Sequence, residues 1–181
     1  DIITGWVAKE AKVIEWGCGN GSLMQLLQSE KQCSCYGMEL SDSGVEACLK
    51  KGLQVQQGRI DAPLPFNDND FDIAICNVTI QMVLYPEILF KEMARIAKHQ
   101  IISFPNFAYF KNRFDLLFNG RMPRQLLFEY QWYNTGHIHQ LSIKDFNQLV
   151  AENKSLRIIR QTGVPVGYAL LDWMGKWMPN L

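Results

Sequence analysis

Three glycines at every second position, Gly17, Gly19 and Gly21, separate the apolar run "KVIEW" from Leu23, Met24, Leu26 and Leu27, which recur at helical spacing. A strand that turns through bare backbone into a helix lets peptide N–H groups approach a ligand that side chains would hold off. The dinucleotide fingerprint is G-x-G-x-x-G, but here the third glycine comes one residue early, at Gly21, and Ser22 takes the expected place. Glu15, two residues before the first glycine, would oppose a pyrophosphate and favour a ligand carrying ammonium and sulfonium charge, by Coulomb sign. Both departures argue for S-adenosylmethionine rather than NAD. Cys18 lies inside the same loop, yet no neighbouring residue supplies a base to activate its thiol.

A second acid extends the site. Glu39 ends the second apolar run eighteen residues after Gly21, where a carboxylate at the adjacent strand tip can accept both ribose hydroxyls of an adenosine; Leu40 stands beside it. Asp61 falls near the third strand tip and is placed to face an adenine amino group. Asn77, Thr79 and Gln81 follow the fourth apolar run as candidates to line the pocket. For a general base near a reacting oxygen the candidates are His137, His139 and Tyr133, and no catalytic residue is assigned among them. His137 and His139 share a face if they lie in a strand, but no third ligand stands near them, so no metal site is expected. Cys33 and Cys35 have the same spacing and are read as lining the core.

These residues need a frame, and alternating apolar runs and helical patterns supply one: parallel strands joined by crossover helices. "KVIEW" (12–16), "SCYGMEL" (34–40), "LQVQQ" (53–57), "FDIAICNV" (71–78) and "QIISF" (100–104) read as five strands, and "LRIIR" (156–160) as a sixth. A helix follows the glycines. "SDSGVEACLKKG" is a second helix, announced by the capping pair Ser43 and Glu46 and stopped by Gly52. Pro86 opens a third, with Leu89, Met93 and Ile96 on its inner face, and Ser142 with Asp145 caps a fourth. Residues 107–135 carry nine aromatics, which makes them a folded insertion after the fifth strand rather than a linker. Leu170, Leu171, Trp173, Met174, Trp177 and Met178 form a continuous apolar stripe if that tail is helical, suited to core packing or to partner docking.

Composition limits the function classes. The chain has 181 residues, 48% of them hydrophobic and 20% charged, and is expected to be a single domain over 1–181. Eighteen basic residues balance eighteen acidic ones, so no overall field favours nucleic acid. No stretch approaches the roughly 18 uncharged apolar residues of a membrane span, and no membrane partner is expected. Five scattered cysteines suit a reducing compartment, hence the cytoplasm.

Together "EWGCGNG", the terminal Glu39, "LPFNDNDFDIAICN" and the "FPN" after the fifth strand resemble the class I S-adenosylmethionine-dependent methyltransferases over most of residues 12–160. That resemblance implies an α/β, Rossmann-like fold with a mostly parallel sheet and helices on both faces. It also implies S-adenosylmethionine or S-adenosylhomocysteine as cofactor, held by Glu15, Gly17, Cys18, Gly19, Gly21, Glu39, Leu40, Asp61 and Asn77. The superfamily's antiparallel seventh strand is expected to be missing, since the chain stops at "WMPNL" where it would begin. Within the superfamily, "YGMELSDSGVEACLKKGLQVQQG", "QMVLYPEILFKEMARIAKHQIISFPNF" and "NGRMP…EYQWYNTGHIH" are similar to the MetW-type methionine-biosynthesis proteins. This implies association with a homoserine O-acyltransferase. Arg59 departs from the pattern, standing where the family often has an acid after "QG", so adenine recognition passes to Asp61 or to a backbone amide. Trp16 replaces a usual aliphatic residue and is expected to pack against the sheet. No "NPPY"-like motif follows the fourth strand, so adenine-N6 and glutamine methylation lose support. Two classes of function remain: a cofactor-binding accessory subunit of the acyltransferase, and a small-molecule methyltransferase.

Overall fold

The computed structural model describes residues 2–122, 131–154 and 156–163. The chain divides into two compact units, Asp1–Phe104 and Pro105–Leu181. The first carries α1 (Ile2–Trp6), β1 (Lys12–Trp16), α2 (Ser22–Lys31), β2 (Ser34–Glu39), α3 (Asp42–Lys50), β3 (Gln54–Gln57), β4 (Phe71–Asn77), α4 (Pro86–Ile96) and β5 (Ala97–Ser103), with a short 3₁₀ turn at Ile80–Met82 before α4. The five strands form one sheet in the order β3-β2-β1-β4-β5, with every pair parallel. Chain order runs outward from β1 in one direction and then, from β4, in the other. The carboxyl ends of β1 and β4 therefore flank the point where an open α/β sheet leaves a crevice.

Parallel strands covered on both faces read as continuous apolar runs, and β1 shows why "KVIEW" is one. Val13, Ile14 and Trp16 are all fully buried, and successive residues point to opposite faces. On Val13's face lie Cys35, Ile73, Ile75 and Ile101, covered by Met24 and Leu27 of α2 and Cys48 of α3. Each such buried side chain contributes roughly 1.5–3 kcal/mol. Helix α4 packs on β4 and β5 and buries Leu89, Phe90, Met93 and Ile96, which include the inner-face residues expected from its period. Arg95 near its end donates to Glu92, Asp68 and the carbonyls of Leu64 and Phe66, which pins the polar loop leading into β4.

Three sequence expectations need correcting. Helix α3 is capped by Ser41, not by Ser43: Ser41 is extended (φ −80°, ψ 136°) and its Oγ accepts the Gly44 N–H at 3.2 Å, whereas Ser43 already lies in the first turn. Strand β5 begins at Ala97, directly after α4, because the polar start "AKHQ" pairs with Phe71–Ala74 as an edge strand with half-exposed faces, a pattern that hides it from hydrophobicity. In the second unit α5 (Phe110–Asn119) and α6 (Ile143–Glu152) are helical, but 156–160 form no strand. Ile158 and Ile159 are exposed there; alternating side chains give propensity, while a strand exists only through a ladder partner. Helix α6 has the expected capping box, Ser142 accepting from the Asp145 amide and Asp145 from the Ser142 amide. Helix α5 ends at Gly120 in the left-handed conformation. The apolar stripe 170–178 lies outside the described residues.

Candidate functional site

The glycine loop is built by the tips of β1 and β2. The amides of Gly17 and Cys18 both donate to the Met38 carbonyl, at 2.8 and 3.1 Å, so the chain leaving β1 folds over the end of β2. Glu39, one residue further, holds the same loop from its side chain. Its Oε2 accepts the Gly19 N–H at 2.8 Å, and its Oε1 accepts the amide and hydroxyl of Ser41 at 2.9 and 2.8 Å. These donors keep the carboxyl below the ordinary glutamate range even though partial burial pushes the other way. From the end of α3, Lys51 donates to the Asn20 carbonyl at 2.8 Å and closes the loop from outside.

The glycines divide by cause. A Cβ on Gly17 would stand 2.6 Å from Thr79, one on Gly21 would strike Leu53 and Cys48, and one on Gly44 would lie 2.7 Å from Glu39 Cγ and 2.9 Å from the Gly19 carbonyl. Packing requires all three. Gly19 has φ +54° and nothing within 4 Å of where a Cβ would be. Its bare face turns to open space, which is where a ligand could approach the backbone.

Glu15 lies beneath this loop, 3% exposed. The Met24 amide in the first turn of α2 favours its charged form, and among the described residues its Oε2 has no partner. Burial, reinforced by the nearby Glu39 charge, outweighs that amide and pushes the carboxyl up to about 8. The unsatisfied oxygen suits a positively charged group. Desolvation likewise raises the Cys18 thiol, whose Sγ lies 3.9 Å from Cys48 Sγ, so it stays protonated and has no nucleophilic activation.

A family profile described as "Methionine biosynthesis protein MetW" matches residues 1–181. The chain belongs to the MetW family. It is 32% identical over 152 residues to the "Bifunctional methionine biosynthesis protein MetXA/MetW" of Rhodopirellula baltica, an alignment covering 78% of this chain and 24% of that protein. The chain thus spans about a quarter of that curated relative. In three dimensions it is similar to the YcgJ protein of Bacillus subtilis, with TM-score 0.64 and 18% identity, covering 97% of this chain and 76% of that one. It is also similar to an S-adenosylmethionine-dependent methyltransferase of Thermotoga maritima, with TM-score 0.60 and 24% identity, covering 82% and 65%. The fold is that of the class I, Rossmann-like methyltransferases.

In this MetW-family chain the remaining candidates fall in different places. Asn77, at the tip of β4, accepts the Ser103 hydroxyl at 2.5 Å, which ties β4 to β5. Thr79 packs against Gly17. Gln81 is fully buried and its amide braces the Val78 carbonyl at 2.8 Å. Leu40 is 63% exposed beside Glu39. Asp61 is buried, with its Oδ2 taking the amides of Leu84 and Tyr85 at 2.9 and 3.1 Å and the Arg59 guanidinium at 2.8 Å. That oxygen is committed to holding the entry to α4. Trp16 is buried in the sheet, and Cys33 and Cys35 are in the core.

His137, His139 and Tyr133 belong to the second unit. Burial lowers the His137 pKa and keeps it neutral, and the ring meets Phe107 edge-on at 5.8 Å. Among the described residues no three His, Cys, Asp or Glu side chains group to hold a metal ion. Among them also, no helix is long and apolar enough to cross a membrane.

Several contributors had little or no signal in the sequence. Val78, a β-branched residue at φ +52°, carries a strained turn at the tip of β4, held by the Ser103 carbonyl and hydroxyl, each at 3.0 Å from its amide. Gly44, Ser41 and Lys51 act on the loop from a helix that starts twenty residues after it, so only tertiary contact reveals them. Ser41 could have been found as the serine preceding an acidic first turn.

Proposed function

We propose that this chain binds S-adenosylmethionine or S-adenosylhomocysteine over the carboxyl ends of β1, β2 and β4, and serves methionine biosynthesis as an accessory partner of a homoserine O-acyltransferase. The observation that carries the cofactor reading is the buried Glu15, with an unpaired oxygen and a second acid beside it, under a loop whose Gly19 faces open space. That environment disfavours a pyrophosphate and favours an ammonium or sulfonium. Glu39 would take the ribose. A carboxylate offers about four lone-pair directions and protein donors use three of them, so Oε2 would accept one hydroxyl directly and Oε1 the other once the Ser41 hydroxyl turns away. Gly17, Cys18 and Gly21 shape the loop, Leu40 would cover one face of the adenine, and Asn77 would close the β4 side. With Asp61 Oδ2 engaged, its part is to position the Leu84–Tyr85 backbone.

The partner reading is supported by the relative that carries both names, MetXA and MetW, in one chain. In the second unit, Phe114 and Phe118 of α5 stack at 5.7 Å while more than half exposed, and Leu117 beside them is 74% exposed. Exposed aromatic clusters of this kind serve as interface anchors, and the acyltransferase is the occupant proposed for this one. Five buried free thiols fit a reducing cytoplasm. The test is co-purification with a homoserine O-acyltransferase and measurement of the acylation rate. A stable complex with a faster rate is expected; separate elution with unchanged kinetics would refute the reading.

The open loop supports a second reading, methyl transfer to a small molecule. When bound, S-adenosylmethionine supplies a methyl group already activated on sulfonium, so the chain's task is orientation and exclusion of water. Calorimetry with S-adenosylmethionine and with NAD tests the shared premise, and product formation in a metabolite screen separates the two readings.

A further inference from the structure

Glu15 carries the point furthest. Among the described residues its Oε2 has no partner, although the residue is only 3% exposed. Among the described residues, the charged and titratable groups that act on it come from several elements, and none offers it a compensating positive charge. Cys18 of the loop, Cys35 of β2, Cys48 of α3 and Cys76 of β4 all feel its charge as repulsive, and Glu39 at the tip of β2 repels it in turn. Lys51, the residue that follows α3, directs its ammonium to the Asn20 carbonyl and the Ser22 hydroxyl. A buried carboxylate without a countercharge is expensive, and the usual resolution is to keep the proton.

Resting on the cofactor reading above, we infer that Glu15 selects for positive charge by exchange: it holds a proton in the ligand-free site and gives it to solvent when a cationic ligand group enters. The balance is simple. The carboxylic acid and the ligand cation become a carboxylate–cation pair, and one proton passes to buffer. A neutral isostere of the ligand would leave the proton on Glu15 and release none, so proton release marks the cation. The upward push on this carboxyl to about 8 fits that assignment. It also sets the working window: exchange is nearly complete on binding below pH 7, and disappears where the acid has already ionised.

The test is calorimetric titration of the full chain with S-adenosylmethionine at pH 6.5, where the ligand's ammonium is fully charged, in buffers of different ionisation enthalpy. The slope of observed heat against buffer ionisation enthalpy counts the protons. About one proton released is expected, with affinity rising about tenfold per pH unit from pH 5 to 7. In Glu15→Gln the buffer dependence and the pH slope should both vanish. Binding whose heat is the same in every buffer overturns the inference and leaves the cofactor reading standing. Release that persists in Glu15→Gln also overturns it, by assigning the proton elsewhere. The wild-type buffer series decides the point even if the variant does not fold, and no binding heat at any pH sinks the cofactor reading and this inference together.

Discussion

Replacing Glu39 should loosen the glycine loop before any ligand is considered. The carboxylate makes three hydrogen bonds, one to the part-buried Gly19 amide and two to the more exposed Ser41. A bond to a charged group contributes about 1.5–3 kcal/mol when sheltered, and the exposed pair are nearer 0.5 kcal/mol each after solvent screening. Glu39→Ala should therefore cost about 3 kcal/mol. Glu39→Gln keeps one acceptor oxygen but turns an amide N–H₂ toward a donor on the other side, so it should cost about 2 kcal/mol. For a chain of this length that corresponds to a fall in Tm of roughly 4–8 °C for the glutamine variant. The pH dependence has a definite sign. The Glu39 carboxyl lies below its ordinary range in the folded protein, so its contribution is present above the unfolded-state pKa and is lost as pH falls through the folded one. Thermal melts of wild type and Glu39→Gln from pH 4 to 8 should show a gap that is full at pH 7 and narrows toward pH 4. In parallel, Glu39→Ala should weaken S-adenosylmethionine binding on the order of tenfold to a hundredfold, since each charge-assisted bond is worth about 1.5–3 kcal/mol. A Glu39→Gln protein that melts within a degree of wild type at pH 7, or whose deficit is constant with pH, would refute the bridging role.

Glu15 should behave oppositely: its carboxyl is pushed up to about 8, so the folded state loses stability as pH rises from 4.5 toward 8, and Glu15→Gln should flatten this slope in pH-dependent melts, gaining roughly 3 kcal/mol at pH 7. Gly44→Ala places a methyl 2.9 Å from the backbone oxygen of Gly19; overpacking of that kind costs about 1–3 kcal/mol, and chemical denaturation should report it together with weaker ligand binding. Phe118→Asp on α5, at a residue 71% exposed, should leave the melting temperature within about a degree and reduce co-purification with the acyltransferase; retention equal to wild type would remove α5 from the interface.

Much of the frame was legible in the sequence because its signals are local. "KVIEW" is apolar on alternate and intervening positions alike, and such a run, followed at once by glycines and a 3.6-residue period, admits few structures besides a buried parallel strand entering a helix. The order of strands and helices, the Ser142–Asp145 cap and the inner face of α4 follow from the same kind of short-range pattern. Where local pattern misled, a long-range partner decided: β5 begins three residues early because Phe71–Ala74 lie alongside it, and "LRIIR" is no strand because nothing among the described residues forms a ladder with it.

The sequence alone determined that two acids and three glycines would be present at strand ends, and their charge is the basis of the cationic ligand proposed for them. Only the tertiary structure decided how each is used. Glu39 is partly engaged by Gly19 and Ser41, Asp61 is turned to the Leu84–Tyr85 backbone, and Glu15 is buried with an oxygen that has no partner among the described residues. The physical reason is that residue type sets charge and hydrogen-bonding capacity, whereas desolvation and the number of unused lone pairs are properties of what packs around a side chain, and those neighbours come from elements tens of residues away.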